Sequence, residues 1–161
     1  MSDEERWLTE DEQDAWLALA SVLIRLPQAL DAQLVRDAGL SHFEYAVLSG
    51  LSDAPDRTMR MSDLAGVAEG SLPRLSQVVA RLEKRGLVRR TSDPADGRYT
   101  LAILTAEGWA KVVDAAPGHA AEVRRLVFDA LTRRQVGQIG DIGRRIMRHI
   151  DPTDRALRDT D

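Results

Sequence analysis

Apolar residues recur along most of this chain at three- and four-residue steps, which predicts helices, and the exceptions fall in its middle. Trp16, Leu19, Leu23, Leu26, Leu30 and Leu34 form the stripe of a long first helix. Thr9 and Glu12 have the spacing of a capping box that starts it, and Pro27 predicts a kink rather than an end. Gly39 stops it. Ser41 with Glu44, and Leu40 against Tyr45, predict a second start, with a capping box and a hydrophobic staple. Phe43, Val47, Leu48 and Leu51 point inward from that helix, which ends at Ser52-Asp53-Ala54-Pro55. Thr58 to Arg60 is a candidate short strand, and Ser62 to Ala68 a compact helix of small residues.

After the break at Glu69-Gly70, Ser71 caps a helix with Pro73 in its first turn, where the missing N–H is not needed. Leu75, Val78, Val79 and Leu82 follow the i, i+3, i+4, i+7 rule, so Arg74, Gln77 and Arg81 face outward. Two helices joined by a short glycine-containing turn make a helix-turn-helix pattern. Gly86 ends the second helix; Leu87 to Thr91 and Tyr99 to Leu104 read as strands around the turn formers Asp93-Pro94-Ala95-Asp96-Gly97, a hairpin of wing type. Thr105 caps a helix through Trp109, Val112 and Val113, which Ala116-Pro117-Gly118 is expected to interrupt. Val123, Leu126, Val127 and Ala130 resume the spacing, and Thr132 opens a last helix striped by Val136, Ile139, Ile142, Ile146 and Ile150.

The fold class this implies is mainly α with a small β-hairpin wing: a winged helix-turn-helix over 39–104, flanked by helices at 9–36 and 105–150, with flexible tails at 1–8 and 151–161. A region of that size can bury its own core, but the flanking stripes lack a layer to cover them. A second copy of the chain would cover them, so a homodimer is expected.

Charge sharpens this picture. The net charge of -4 over 161 residues hides an uneven layout. Between Ser71 and Arg98 stand seven basic residues, Arg74, Arg81, Lys84, Arg85, Arg89, Arg90 and Arg98, against Glu83, Asp93 and Asp96. Ahead of Ala15 the balance reverses: Asp3, Glu4, Glu5, Glu10, Asp11, Glu12 and Asp14 face only Arg6. A local basic patch is what steers a phosphate backbone.

The chain has no cysteine, which excludes disulfides, thiolate metal sites and thiol redox sensing. No apolar run approaches the roughly 20 residues that would span a bilayer, and the acidic start is the wrong chemistry for a signal peptide, so a cytoplasmic protein is expected. His42, His119 and His149 lack partners at metal-ligand spacing, and no nucleophile–base constellation is readable, so neither metal, cofactor nor enzyme activity is expected.

Several segments together resemble the MarR family of bacterial transcription regulators. They are Gly39-Leu40-Ser41, Ser62-Asp63-Leu64-Ala65, the run from Arg81 through Gly86 to Arg90, Asp96-Gly97-Arg98, and Leu104-Thr105 followed by Gly108. The resemblance runs from about Thr9 to Ile150. It implies a homodimer on a pseudo-palindromic double-stranded DNA operator, most often as a repressor. Ser71, Arg74, Ser76 and Gln77 then match major-groove positions, and Arg98 the wing arginine of the minor groove, oriented by Asp96. Arg74 and Gln77 suit guanine and adenine, since each can form two hydrogen bonds to one base edge. Arg81, Lys84, Arg89 and Arg90 fit affinity for phosphates rather than sequence choice. The resemblance also implies a small aromatic or phenolic effector between the flanking helices and the winged helix. No specific ligand motif is readable; Trp16, His42 and Tyr45 are the candidates, His42 because Trp16 and Tyr45 are expected to converge near it. Pro73 departs from the family's usual small or polar residue. The rival reading is a winged-helix protein-interaction module that binds no DNA.

Overall fold

Both expected capping boxes form. In the computed structural model, which describes residues 7 to 151, Thr9 accepts from the Glu12 amide while the Glu12 carboxylate takes the Thr9 amide at 2.8 Å. Ser41 and Glu44 repeat the arrangement, with Glu44 accepting the Ser41 amide at 2.9 Å. Of the expected tails, 1–6 and 152–161 lie outside the described residues; Trp7 and Leu8 are exposed and precede the first helix.

The chain divides between Ala120 and Ala121 into two units. The first holds α1 (Glu10–Ala38), α2 (His42–Asp53), β1 (Thr58–Arg60), α3 (Met61–Val67), α4 (Leu72–Lys84), β2 (Val88–Ser92), β3 (Thr100–Leu104) and most of α5 (Ala106–Leu126). The helix α1 runs unbroken through Pro27 and stops at Gly39, whose φ of 62° only glycine adopts freely.

Leu40, Leu48, Leu51, Leu64, Leu75 and Leu82 are fully buried, together with Val47, Val79 and Val88. Each such side chain contributes about 1.5 to 3 kcal/mol on leaving water, so this cluster anchors α2, α3, α4 and the sheet. All four predicted inward residues of α4 lie in it, and Val112 and Ala115 of α5 join them. Phe43 does not: it packs only partly buried against the core's edge.

The hairpin forms one residue later than expected, and β1 adds to its far edge. The antiparallel sheet has the order β1-β3-β2, with Arg60 opposite Leu101 and Ser92 opposite Thr100.

Two further expectations fail. The break at Ala116-Pro117-Gly118 is absent, because α5 continues through Pro117. A proline removes one backbone hydrogen bond, here to the carbonyl of exposed Val113, and His119 just beyond it is held by Gln33 of α1, Nδ1 to Oε1 3.2 Å. Local chemistry that favours a break is overridden by the packing on either side. The second concerns apolar length: α1 contains an 18-residue window of mean hydropathy 1.2, long and apolar enough to cross a bilayer by those criteria. Arg25 and Asp31 break the contiguous run without lowering the mean far. Only 6% of that window is buried, and Trp16, Leu17, Val22, Leu23 and Ile24 are each more than half exposed. Trp16 is therefore not a core residue of the chain.

The second unit contains the end of α5, a 3-10 turn at Phe128–Ala130 and α6 (Arg133–Ile150). Thr132 and Gln135 form the third capping box. The predicted stripe of α6 is present and open: Val136, Ile139, Ile142, Ile146 and Ile150 are all exposed.

Candidate nucleic-acid interface

The helix α4 offers two edges. Ser71 is its N-cap, accepting from the Arg74 amide at 3.4 Å. On the edge towards α2, the Arg74 guanidinium lies 4.2 Å from the Phe43 ring centroid, and Arg81 Nε is 3.7 Å from Glu44 Oε1. On the opposite edge Leu72 and Ser76 face the wing. They line a cleft of about 320 Å³ with Met61, Ser62, Arg90, Arg98, Tyr99 and Thr100. Gln77 is exposed on the helix between these edges.

Phe43 is held by the turn before α4. A Cβ on Gly70 would sit 2.5 Å from the Phe43 ring, so only glycine admits the ring there. Glu69 beside it takes a left-handed φ of 51°, a strained conformation for a residue with a side chain. The helix-turn-helix corner thus sets the ring on which Arg74 rests.

Glu44 was read only as a capping residue, yet its buried carboxylate also receives Arg81 and Arg85, the latter at 3.5 Å from Nη1. Arg85 donates in addition to the Gly39 carbonyl at 3.1 Å. These links tie the start of α2 to the end of α4. Arg90 is likewise engaged. Glu83 accepts its amide and guanidinium at 2.7 to 3.0 Å, and these bonds, the side-chain one first, hold the Glu83 carboxyl below its ordinary pKa.

At the wing tip Asp96 receives Arg98 in fork fashion, Nε to Oδ1 2.9 Å and Nη2 to Oδ2 2.6 Å, and also the Arg98 amide. The pairing lowers the Asp96 pKa and raises that of Arg98. Arg98 is 84% exposed, so this contact fixes a direction without taking the cation out of reach.

The structure gathers two of the three effector candidates, His42 and Tyr45, around His119 and leaves Trp16 outside both clefts. His42 lines a second cleft of about 770 Å³ with Pro27, Gln28, Asp31, Phe43 and Arg74, and its amide donates to Asp31 at 2.8 Å. Tyr45 instead meets His119, ring centroids 4.7 Å apart, and Trp16 lines neither cleft. His42 and His119, 77 positions apart in sequence, have centroids separated by 6.0 Å. Sequence spacing could not show this, because the contact depends on α5 packing beside α2.

Comparison with known proteins places these features in a family. A MarR family model matches residues 38–98. A solved structure of Sco3205 from Streptomyces coelicolor, a MarR family transcriptional regulator in complex with DNA, is 44% identical, with TM-score 0.89 over 94% of this chain and 95% of that one. CouR from Rhodococcus jostii, bound to p-coumaroyl-CoA, is 28% identical with TM-score 0.73 over 88% and 94% of the two chains. The transcriptional regulator HosA of Escherichia coli is 42% identical over 65 residues, 40% of this chain. That match spans about half of HosA, 47% of its length.

Proposed function

The chain belongs to the MarR family of transcriptional regulators, and from that premise we propose that it binds a pseudo-palindromic DNA operator as a homodimer and represses from it. One observation carries the DNA reading: Ser76 of α4 and Arg98 of the wing line the same cleft, so helix and wing tip open onto one face. A duplex laid on that face meets Arg74, Ser76 and Gln77 along the helix and Arg98 at the wing. The Ser71 hydroxyl and the Leu72 amide suit a phosphate, since Pro73 has no N–H and the Arg74 amide is taken by Ser71. Arg81 reaches the same surface only if it leaves Glu44, which makes it a contributor to affinity rather than to base choice.

The dimer reading rests on the open apolar faces of α1 and α6, which a second copy would cover. Two recognition helices then meet half-sites about one helical turn apart, on the order of 34 Å. A soluble cytoplasmic regulator has the same use for α1's apolarity that a membrane protein would, since a partner helix removes that face from water as lipid does.

The effector reading rests on the cleft beside His42 and Arg74. An aromatic acid there would touch Arg74 itself, so ligand and DNA would compete for one guanidinium. CouR's bound p-coumaroyl-CoA gives the class of ligand to try first.

Selection from random duplexes with the full chain tests the proposal. A selected operator is expected to bind about a thousandfold or more tighter than random DNA at physiological salt. Arg98→Ala should weaken it and lower the salt slope by about two units, roughly one for each copy in the dimer. Equal affinity for selected and random duplexes would overturn the reading in favour of a protein-interaction module.

A further inference from the structure

Arg60 stands at the end of β1, outside the helix-turn-helix and outside the wing, and it grips the wing's base on two sides. Its Nε donates to Asp93 Oδ2 at 2.8 Å and its Nη2 lies 2.7 Å from the same oxygen. Its guanidinium also lies 4.3 Å from the Tyr99 ring centroid. Asp93 and Tyr99 are the two residues that close the wing loop, joined by the Asp93 amide to the Tyr99 carbonyl at 2.9 Å. Inside the loop, Asp93 Oδ1 accepts the Ala95 amide at 2.8 Å and the Asp93 carbonyl accepts the Asp96 amide at 3.2 Å. The Tyr99 amide returns to the Asp96 carbonyl at 3.0 Å. Asp93 is only 7% exposed, an uncommon state for a carboxylate, and the Arg60 cation compensates it.

We propose that Arg60 is a positioning residue for the wing, tethering Asp93 and Tyr99 so that Asp96 and Arg98 are presented to DNA from one fixed direction. The tether follows a continuous path: Arg60 holds Asp93, whose carbonyl and side chain shape the turn containing Asp96, and Asp96 holds Arg98 through its fork. The Asp93–Tyr99 bond closes the loop only along the line of the β2–β3 ladder. The third strand supplies a lateral anchor, and arginine suits it because one planar group can bond a carboxylate and stack on a ring at once. This inference rests on the DNA reading above, through the role given to Arg98.

The test is a double-mutant cycle on the selected operator, with hydrogen exchange of the DNA-free chain. Arg60→Ala is expected to weaken operator binding about tenfold in the wild-type background, and hardly at all in an Arg98→Ala background, since a misdirected wing has then nothing left to lose. Arg60→Lys, which keeps the charge but loses the fork and the stack, should show most of the same loss. In the free chain, Arg60→Ala should speed exchange at the Ala95, Asp96 and Tyr99 amides several-fold while α4 amides stay protected. Equal losses in both backgrounds would mean a general effect on stability and would overturn the proposal, as would unchanged exchange in the wing. A wild-type chain that selects no duplex would sink the DNA reading, and with it the presentation of Arg98. Loosened wing amides in that same chain would still locate the failure in the DNA reading rather than in the tether.

Discussion

His119 shows how much one side chain's surroundings can decide. It is half-buried, with Gln33 of α1 on one side and His42 and Tyr45 of α2 on the other, and no carboxylate among the described residues bonds its ring. Burial first, and the neighbouring His42 second, push its pKa below the ordinary imidazole value. The unfolded chain therefore binds a proton more readily than the folded one, so this site stabilises the fold fully above about pH 6.5 and loses that contribution as the pH falls below it. Urea midpoints measured between pH 8 and pH 5.5 should drop, and His119→Gln should remove part of that slope. An identical slope in the variant would place the acid sensitivity elsewhere. Phe43 makes a related point: its spacing on α2 reads as core, yet its ring serves as the rest for Arg74, and the reason lies in Gly70.

Among the elements, α5 is the one where local chemistry and packing disagree most. Pro117 and Gly118 are both poor helix formers, and the helix passes through them unbroken. In a continuous α5 the proline is a liability carried by its neighbours. Pro117→Ala is then expected to raise stability by about 1 to 3 kcal/mol, read as a higher urea midpoint at unchanged m-value. A loss of stability would show that the helix needs the proline, and the continuous account would fail. The sheet teaches the converse. Its hairpin was readable from turn formers between two strand-like runs, while the third strand's contribution was not, because Arg60 and Asp93 are 33 residues apart and neither carries a local signal for the other.

For the molecule as a whole, the open apolar faces make oligomerisation the decisive question. Leu23 is 59% exposed and Ile24 62% exposed on α1. In an isolated chain, a charge at either position would change stability by no more than about 0.5 kcal/mol. In a dimer joined through α1 it would be buried and unpaired. Leu23→Glu should therefore shift the protein from dimer to monomer in sedimentation, lower its melting temperature and remove that temperature's dependence on protein concentration. A monomeric wild type, or a variant that sediments like it, would remove the dimer from the proposed function.

Periodicity and capping chemistry were enough to place where most helices start, though not the continuity of α5, because caps and amphipathic stripes act within one or two turns of the chain. Thr9, Ser41, Ser71 and Thr132 all start helices where their neighbours said they should. The wing signature and the outward positions of α4 were readable for the same reason. Tertiary structure alone decided what those side chains lean on: Arg74 on Phe43, Arg81 and Arg85 on Glu44, Arg60 on Asp93, Tyr45 on His119. Each of these contacts joins elements distant in sequence, and each is created by close packing of a core whose geometry no local pattern encodes.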